Sequence, residues 1–135
     1  MYKSYKKKTI LITGASGFLG KKILKKLDKK KYNIIVITRK KIVGVKNIFV
    51  KDLFSLNIIQ YKKFLKNVDI VLHLAWFVKH GEFYNSFENF NCLNGSIKLI
   101  EACRNKKIKK FIGIGTGTEY KPKAKSYNIK DKLDG

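Results

Sequence analysis

Thr13-Gly14-Ala15-Ser16-Gly17-Phe18-Leu19-Gly20 follows directly on the run Lys8-Thr9-Ile10-Leu11-Ile12, and the reading of this stretch decides the fold. Lys8 to Thr13 is a short, β-branched run of strand length that stops at a Gly-Ala-Ser-Gly turn signal. From Phe18 to about Lys30, Phe18, Leu19, Ile23, Leu24 and Leu27 recur at helical spacing, with Lys21, Lys22, Lys25, Lys26, Lys29 and Lys30 between them. A buried strand, a G-x-x-G-x-x-G turn and an amphipathic helix therefore stand in immediate succession. In that setting Gly14 permits the sharp exit from the strand, Gly17 leaves room for a pyrophosphate to approach the backbone, and Gly20 lets the helix pack closely on the sheet. Free N–H groups at the helix start, aided by the helix dipole, then meet the anion. The competing reading is a glycine-rich turn that holds no ligand.

Outward from this unit, the chain alternates. Tyr32 to Thr38 (YNIIVIT) predicts a second strand and Asn47 to Val50 a short third one. Leu53, Phe54, Leu56, Ile59, Phe64 and Leu65 suit a modest helix with Ser55 as N-cap. Asp69 to Leu74 (DIVLHL) predicts a fourth strand. A loop containing Trp76, His80 and Gly81 leads to a long helix from about Ser86 to Arg104, and Ile108 to Gly115 reads as a fifth strand. Strands alternating with helices imply right-handed crossovers and a mostly parallel α/β sheet of expected order 3-2-1-4-5. Ligands of such sheets sit beyond the carboxyl ends of the strands where the order reverses, which places the turns after Thr13 and Leu74 together. The expected organisation is one domain over residues 1–115, followed by an irregular polar segment over 116–135.

The 135 residues carry 31 Lys plus Arg against nine Asp plus Glu, a formal net charge of +22, with Arg39 and Arg104 as the only arginines. A nucleic-acid surface would use Arg for bidentate phosphate contacts and gather its charge on one element. Here the lysines are spread along the chain and fall opposite apolar helix faces, so a specific nucleic-acid function is disfavoured. No apolar run is long enough to span a bilayer, since Val68 to Val78 is interrupted by Asp69 and His73. Cys92 and Cys103, read onto one helix, would be separated by about 16 Å of helical rise and read as free thiols, in keeping with a reducing, cytoplasmic setting. No metal-ligand set is assigned.

The glycine spacing, taken with the rest of the chain, resembles the extended short-chain dehydrogenase/reductase family, the NAD(P)-dependent epimerases, dehydratases and reductases that act on sugar nucleotides. Lys51-Asp52-Leu53 is similar to the family's D-L pair at the adenine, and His73-Leu74-Ala75 to its H-L-A segment. Gly95-Ser96-Ile97-Lys98-Leu99-Ile100-Glu101-Ala102 resembles its G-T-x-N-L-L-E-A helix, and Gly115-Thr116 stands where it carries a Ser or Thr after the fifth strand. The resemblance implies a Rossmann-type doubly wound sheet. It implies cofactor contacts from Gly14, Ser16, Gly17, Phe18, Leu19, Gly20, Asp52, Leu53, Leu74, Ala75 and Trp76, and a substrate hydrogen bond from Thr116, the catalytic candidate. Cofactor choice turns on Thr38-Arg39-Lys40, where no carboxylate is present to hold the 2′-hydroxyl of NAD. Arg39 and Lys40 favour the extra phosphate of NADP; the alternatives are NAD, or two solvated loop cations. Gly117 and Thr118 stand where the family's 4,6-dehydratases place Asp-Glu, which disfavours dehydration and leaves Glu119 a structural role. His73 is read as a satisfied buried histidine rather than a catalytic base.

The family's acid/base pair is a Tyr with a Lys four positions later, on the helix after the fifth strand. Only Tyr2 and Lys6 have that spacing here, and they precede the first strand. The expectation is therefore the cofactor-binding portion of a nucleotide-sugar reductase or epimerase, truncated before the later strands and the substrate domain and catalytically incomplete. The other reading is a non-catalytic dinucleotide-binding or regulatory module. An uncovered fifth strand and the Ser86 to Arg104 helix would offer surfaces for self-association.

Overall fold

The computed structural model describes residues 6–116, 119–121 and 126–133. Five strands and three helices follow in the order β1 (Lys8–Thr13), α1 (Phe18–Lys26), β2 (Tyr32–Thr38), β3 (Lys46–Phe49), α2 (Ile58–Phe64), β4 (Ile70–His73), α3 (Glu88–Asn105) and β5 (Lys110–Gly113). All five strands are parallel and lie in the order β3-β2-β1-β4-β5, the predicted Rossmann-type arrangement. β1 is the central strand, and its side chains alternate between two cores. Leu11 packs with Ile37, Tyr61, Leu65, Val71 and Leu99 beneath α2 and α3. Ile10 and Ile12 pack with Ile34, Val36 and Ala15, against Leu24 and Leu27 of α1. The α1 lysines are exposed, as a solvated face requires.

Several element ends differ from the sequence expectation, each for a local hydrogen-bonding reason. α1 stops at Lys26 rather than Lys30 because Leu27 is extended and Asp28 closes a turn, its Oδ1 accepting from Lys30 N and its carbonyl from Lys31 and Tyr32 N. Ser55 does not cap α2. Its hydroxyl donates to the Asp52 carbonyl, and Asn57 forms a reciprocal capping box with Gln60 that starts the helix at Ile58. β5 is shorter than Ile108 to Gly115: Ile108 N is held by Cys103 O, and pairing ends at Gly113 because its partner β4 ends at His73. β3 and α3 are each displaced by one or two residues, α3 beginning only after Ser86 Oγ accepts from Glu88 N. Cys92 and Cys103 are both buried free thiols, as expected.

The sheet is unevenly covered. Over β5, Ile112 and Ile114 stay exposed, and Leu72 of β4 is only partly buried on the α1 side. Gly20 meets the opposite condition, because a Cβ there would lie against the Gly14 carbonyl and 2.6 Å from Ala15 Cα. Gly20→Ala is accordingly expected to cost about 2–3 kcal/mol in urea denaturation. Gly81→Ala, whose φ is +81° but whose Cβ would meet nothing within 4 Å, should cost only about 1 kcal/mol.

Candidate functional site

β1 and β4 end side by side, with Thr13 paired in register to His73, and the turns that follow meet there. Gly14 has φ +69°, and a Cβ on it would lie 2.6 Å from Ala75 N and 2.7 Å from the Leu74 carbonyl carbon. Only glycine satisfies both conditions. Leu74 N donates to Thr13 O at 3.2 Å and Ala75 N to Thr13 Oγ1 at 3.3 Å, so the backbone after β4 is laid onto the end of β1. Gly17 N donates to Gly14 O at 3.0 Å, closing the turn, and extended Gly17 then serves as the N-cap of α1. The N–H groups of Phe18, Leu19 and Gly20 open the helix and, as at any helix start, have no partner inside it. Ser16, Gly17, Phe18 and Leu19 are exposed while Gly20 is buried. The Lys22 ammonium stands 4.3 Å over the Phe18 ring.

At the end of β2, buried Thr38 donates from Oγ1 to the Lys40 carbonyl at 2.8 Å and accepts from Lys40 N at 3.2 Å. This turn brings Arg39 and Lys40 to a cleft of about 490 Å³ shared with Ala15, Ser16, Lys21, Leu24, Lys41 and Ile42. The glycine turn and the predicted cofactor-selecting segment are thus brought together. Lys21 and Lys41 join them, two cations that the sequence reading had placed only on a solvated face or left aside. Among the described residues no carboxylate lines the cleft.

The remaining predicted residues divide. Asp52 is exposed and accepts from Phe54 N at 3.0 Å, while Leu53 packs on the core and its carbonyl accepts from the Tyr61 hydroxyl at 2.6 Å. In this structure the pair thus shapes the approach to α2. Burial pushes the Tyr61 phenol well above its ordinary pKa. Trp76 is about half exposed, and its Nε1 donates to Asn89 Oδ1 at 2.9 Å; Asn89 Nδ2 donates in turn to Phe83 O, which pins the loop between β4 and α3. Thr116 lies three residues beyond β5, and its N–H donates to Glu119 Oε1 at 3.0 Å, which gives Glu119 the structural role expected of it. Gly117 and Thr118 lie outside the described residues.

His73 is buried, with Nδ1 2.7 Å from Thr13 Oγ1 and Nε2 2.9 Å from Ser96 Oγ. Burial drops its pKa from 6.5 to about 4, which makes it a neutral, hydrogen-bonded group rather than a poised base. Ser96 was not singled out from the sequence; its signal is a small polar residue on the buried face of α3, directly after Gly95.

Residues 10–134 match the family described as NAD dependent epimerase/dehydratase. The chain belongs to this family. It is 32% identical over 134 residues to a trifunctional UDP-glucose 4,6-dehydratase/UDP-4-keto-6-deoxy-D-glucose 3,5-epimerase/UDP-4-keto-L-rhamnose-reductase of Arabidopsis thaliana, a match covering 87% of this chain and 20% of that protein. To the dTDP-D-glucose 4,6-dehydratase of Dictyostelium discoideum it is 33% identical over 128 residues, with coverages of 82% and 29%. Among solved structures, the UDP-glucose 4-epimerase from Bifidobacterium longum, in complex with NAD+ and UDP, aligns with a TM-score of 0.72 at 23% identity over 94% of this chain and 43% of that one. The UDP-N-acetylglucosamine 4-epimerase from Bacillus cereus gives a TM-score of 0.72 at 21% identity, covering 93% and 43%. The structural likenesses establish the fold. The chain spans roughly a fifth to two fifths of the length of the proteins named here. Among the described residues no helix is long and apolar enough to cross a membrane.

The lowered His73 pKa means that the unfolded chain binds more protons than the folded one between about pH 6.5 and 4, so this group's contribution to stability rises with pH across that window. Melting temperature should therefore fall as pH is lowered from about 6.5 to 5, above the range in which ordinary carboxylates titrate. A flat melting temperature over that interval would contradict a neutral buried imidazole.

Proposed function

We propose that this chain is the dinucleotide-binding part of an NADP-dependent reductase or epimerase for nucleotide-activated sugars. One observation carries the reading: the Gly14 turn, the open start of α1 and the cationic cleft at the end of β2 lie together at the carboxyl edge of the sheet, beyond the ends of β1 and β2. Gly14 and Gly20 let the turn close tightly on the Leu74–Ala75 backbone and on α1, and the exposed Ser16–Gly17 stretch between them is the face proposed to meet a pyrophosphate. Ser16, Gly17, Phe18 and Leu19 would supply that face, and Leu74, Ala75 and Trp76, in the segment after β4, are the further cofactor contacts proposed. The bound nicotinamide would accept or supply hydride. Asp52 and Leu53 are the proposed adenine-side residues.

NADP is favoured over NAD because Lys21, Arg39, Lys40 and Lys41 line a cleft to which no described residue contributes a carboxylate, which suits a 2′-phosphate. In calorimetric titrations NADP+ should bind more tightly than NAD+. Arg39→Asp should weaken NADP+ by about tenfold or more while leaving NAD+ within about threefold. Equal affinities in the unsubstituted chain, or a preference for NAD+, would reverse the cofactor assignment. Trp76, the single tryptophan, gives an independent fluorescence readout of the same titrations.

Thr116 is proposed to hydrogen-bond the sugar hydroxyl or carbonyl, from its place three residues beyond the end of β5. Proton transfer needs a further group, and no Tyr after the first strand has a Lys four positions later. Binding without turnover is the expected behaviour of these 135 residues, in a cytoplasmic setting. Oxidation of NADPH by this chain with a keto-sugar nucleotide would contradict it.

Self-association is proposed through α3 and the β5 edge. Phe87, Phe90, Leu93, Ile97 and Ile100 form an exposed stripe along α3. The helix carries Glu88 and Glu101 against Lys98 and Arg104, so it is neutral within a chain of charge +22 and adds no net repulsion between copies. Sedimentation should show concentration-dependent dimers that Phe90→Glu removes; a monomer at every concentration would refute the surface.

A further inference from the structure

Buried hydrogen bonds at the base of the crevice form a chain with only one consistent direction. Thr13, His73 and Ser96 are respectively 0%, 8% and 9% exposed. Ser96 Oγ lies 2.7 Å from the Cys92 carbonyl one turn earlier on α3, which can only accept, so the single hydroxyl proton points there. Toward His73, at 2.9 Å, Ser96 is therefore the acceptor, and the imidazole proton sits on Nε2. Nδ1 is then bare and accepts from the Thr13 hydroxyl at 2.7 Å, while the Thr13 oxygen accepts from Ala75 N at 3.3 Å. The chain runs from Ala75 N–H through Thr13 and His73 to Ser96 and the Cys92 carbonyl. A proton on Nδ1 would displace the Thr13 hydroxyl proton from its acceptor.

Two aromatic rings pack on the imidazole as well. Phe54 meets it edge-on with centroids 6.3 Å apart, and Phe111 lies tilted at 5.9 Å. α3 is seated against Phe54 so closely that a Cβ on Gly95 would come within 2.7 Å of Phe54 Cα. The position of Ser96 is thereby set by the packing of α3, and His73 carries it across to the end of β1.

We propose that His73 is a positioning residue for the crevice: fixed as the Nε2–H tautomer between Thr13 and Ser96, it holds the Gly14 turn against the Leu74–Ala75 backbone and ties that spacing to the seat of α3. The inference rests on reading the crevice as a dinucleotide site, because the Gly14 turn and the Leu74–Ala75 backbone beside it are both proposed cofactor contacts.

The test combines a spectroscopic signature with binding. Long-range 1H–15N correlation on the 15N-labelled chain at neutral pH should show His73 protonated at Nε2 and bare at Nδ1. The reverse tautomer, or a rapidly exchanging mixture, would overturn the proposal. Thr13→Val removes the hydroxyl at nearly constant shape and should raise the Kd for NADP+ about tenfold, whereas Thr13→Ser should keep it within about twofold. A residue of merely structural importance would lower the melting temperature in Thr13→Val and leave Kd, measured well below it, unchanged; that result overturns the inference alone. Failure of the unsubstituted chain to bind either NADP+ or NAD+ overturns the functional reading and this inference with it. Should Thr13→Val not fold, Ser96→Ala against Ser96→Thr provides the same comparison from the α3 side.

Discussion

The contact between the Gly14 turn and the Leu74–Ala75 backbone is the constraint on which the rest of the site depends. It exists because β1 and β4 pair in register and stop together, at Thr13 and His73. Only a residue without a Cβ tolerates both the left-handed backbone and the approach to Ala75 N. Once the turn is pressed there, Gly17 closes it and serves as the N-cap from which α1 starts. The geometry of the turn proposed to meet the pyrophosphate thus follows from steric fit between two pieces of backbone.

Support for this contact comes from both faces of the sheet. On one side Ile10, Ile12 and Ala15 draw α1 down, which also brings Lys21 to the cleft that Arg39 and Lys40 reach from β2. On the other side α3 is brought close enough for Ser96 to meet His73. The charge of +22 has little part in this. Most lysines lie on exposed helix and loop positions, and the few that gather do so because Thr38 turns the chain back toward Ser16.

Much was legible beforehand where several signals agree. The strand, glycine turn and helix at Lys8 to Lys26 combine β-branched residues, turn chemistry and helical spacing, and the alternation that follows gives the sheet order directly. Boundaries were less legible because competing local hydrogen bonds decide them. Asp28 ends α1 four residues early, and Asn57 takes the capping role over Ser55 because Gln60 reciprocates. Residues within motifs were legible as candidates, whereas those brought together only through space were hidden. Lys21 looks like any other solvated lysine, and Ser96 like an ordinary helix residue, until the sheet places Arg39 beside one and His73 beside the other.

By itself, then, the sequence determined the parallel α/β class, the strand order, the glycine turn and the absence of a Tyr-x-x-x-Lys pair after the first strand, because these rest on periodicity, steric permission and residue identity. Tertiary structure alone decided which cations share a cleft, which tautomer His73 adopts, and which apolar residues of α3 and β5 stay uncovered. Those properties depend on distances between residues far apart in the chain. Thr13 and His73, for example, are 60 positions apart in sequence yet hydrogen-bonded at 2.7 Å.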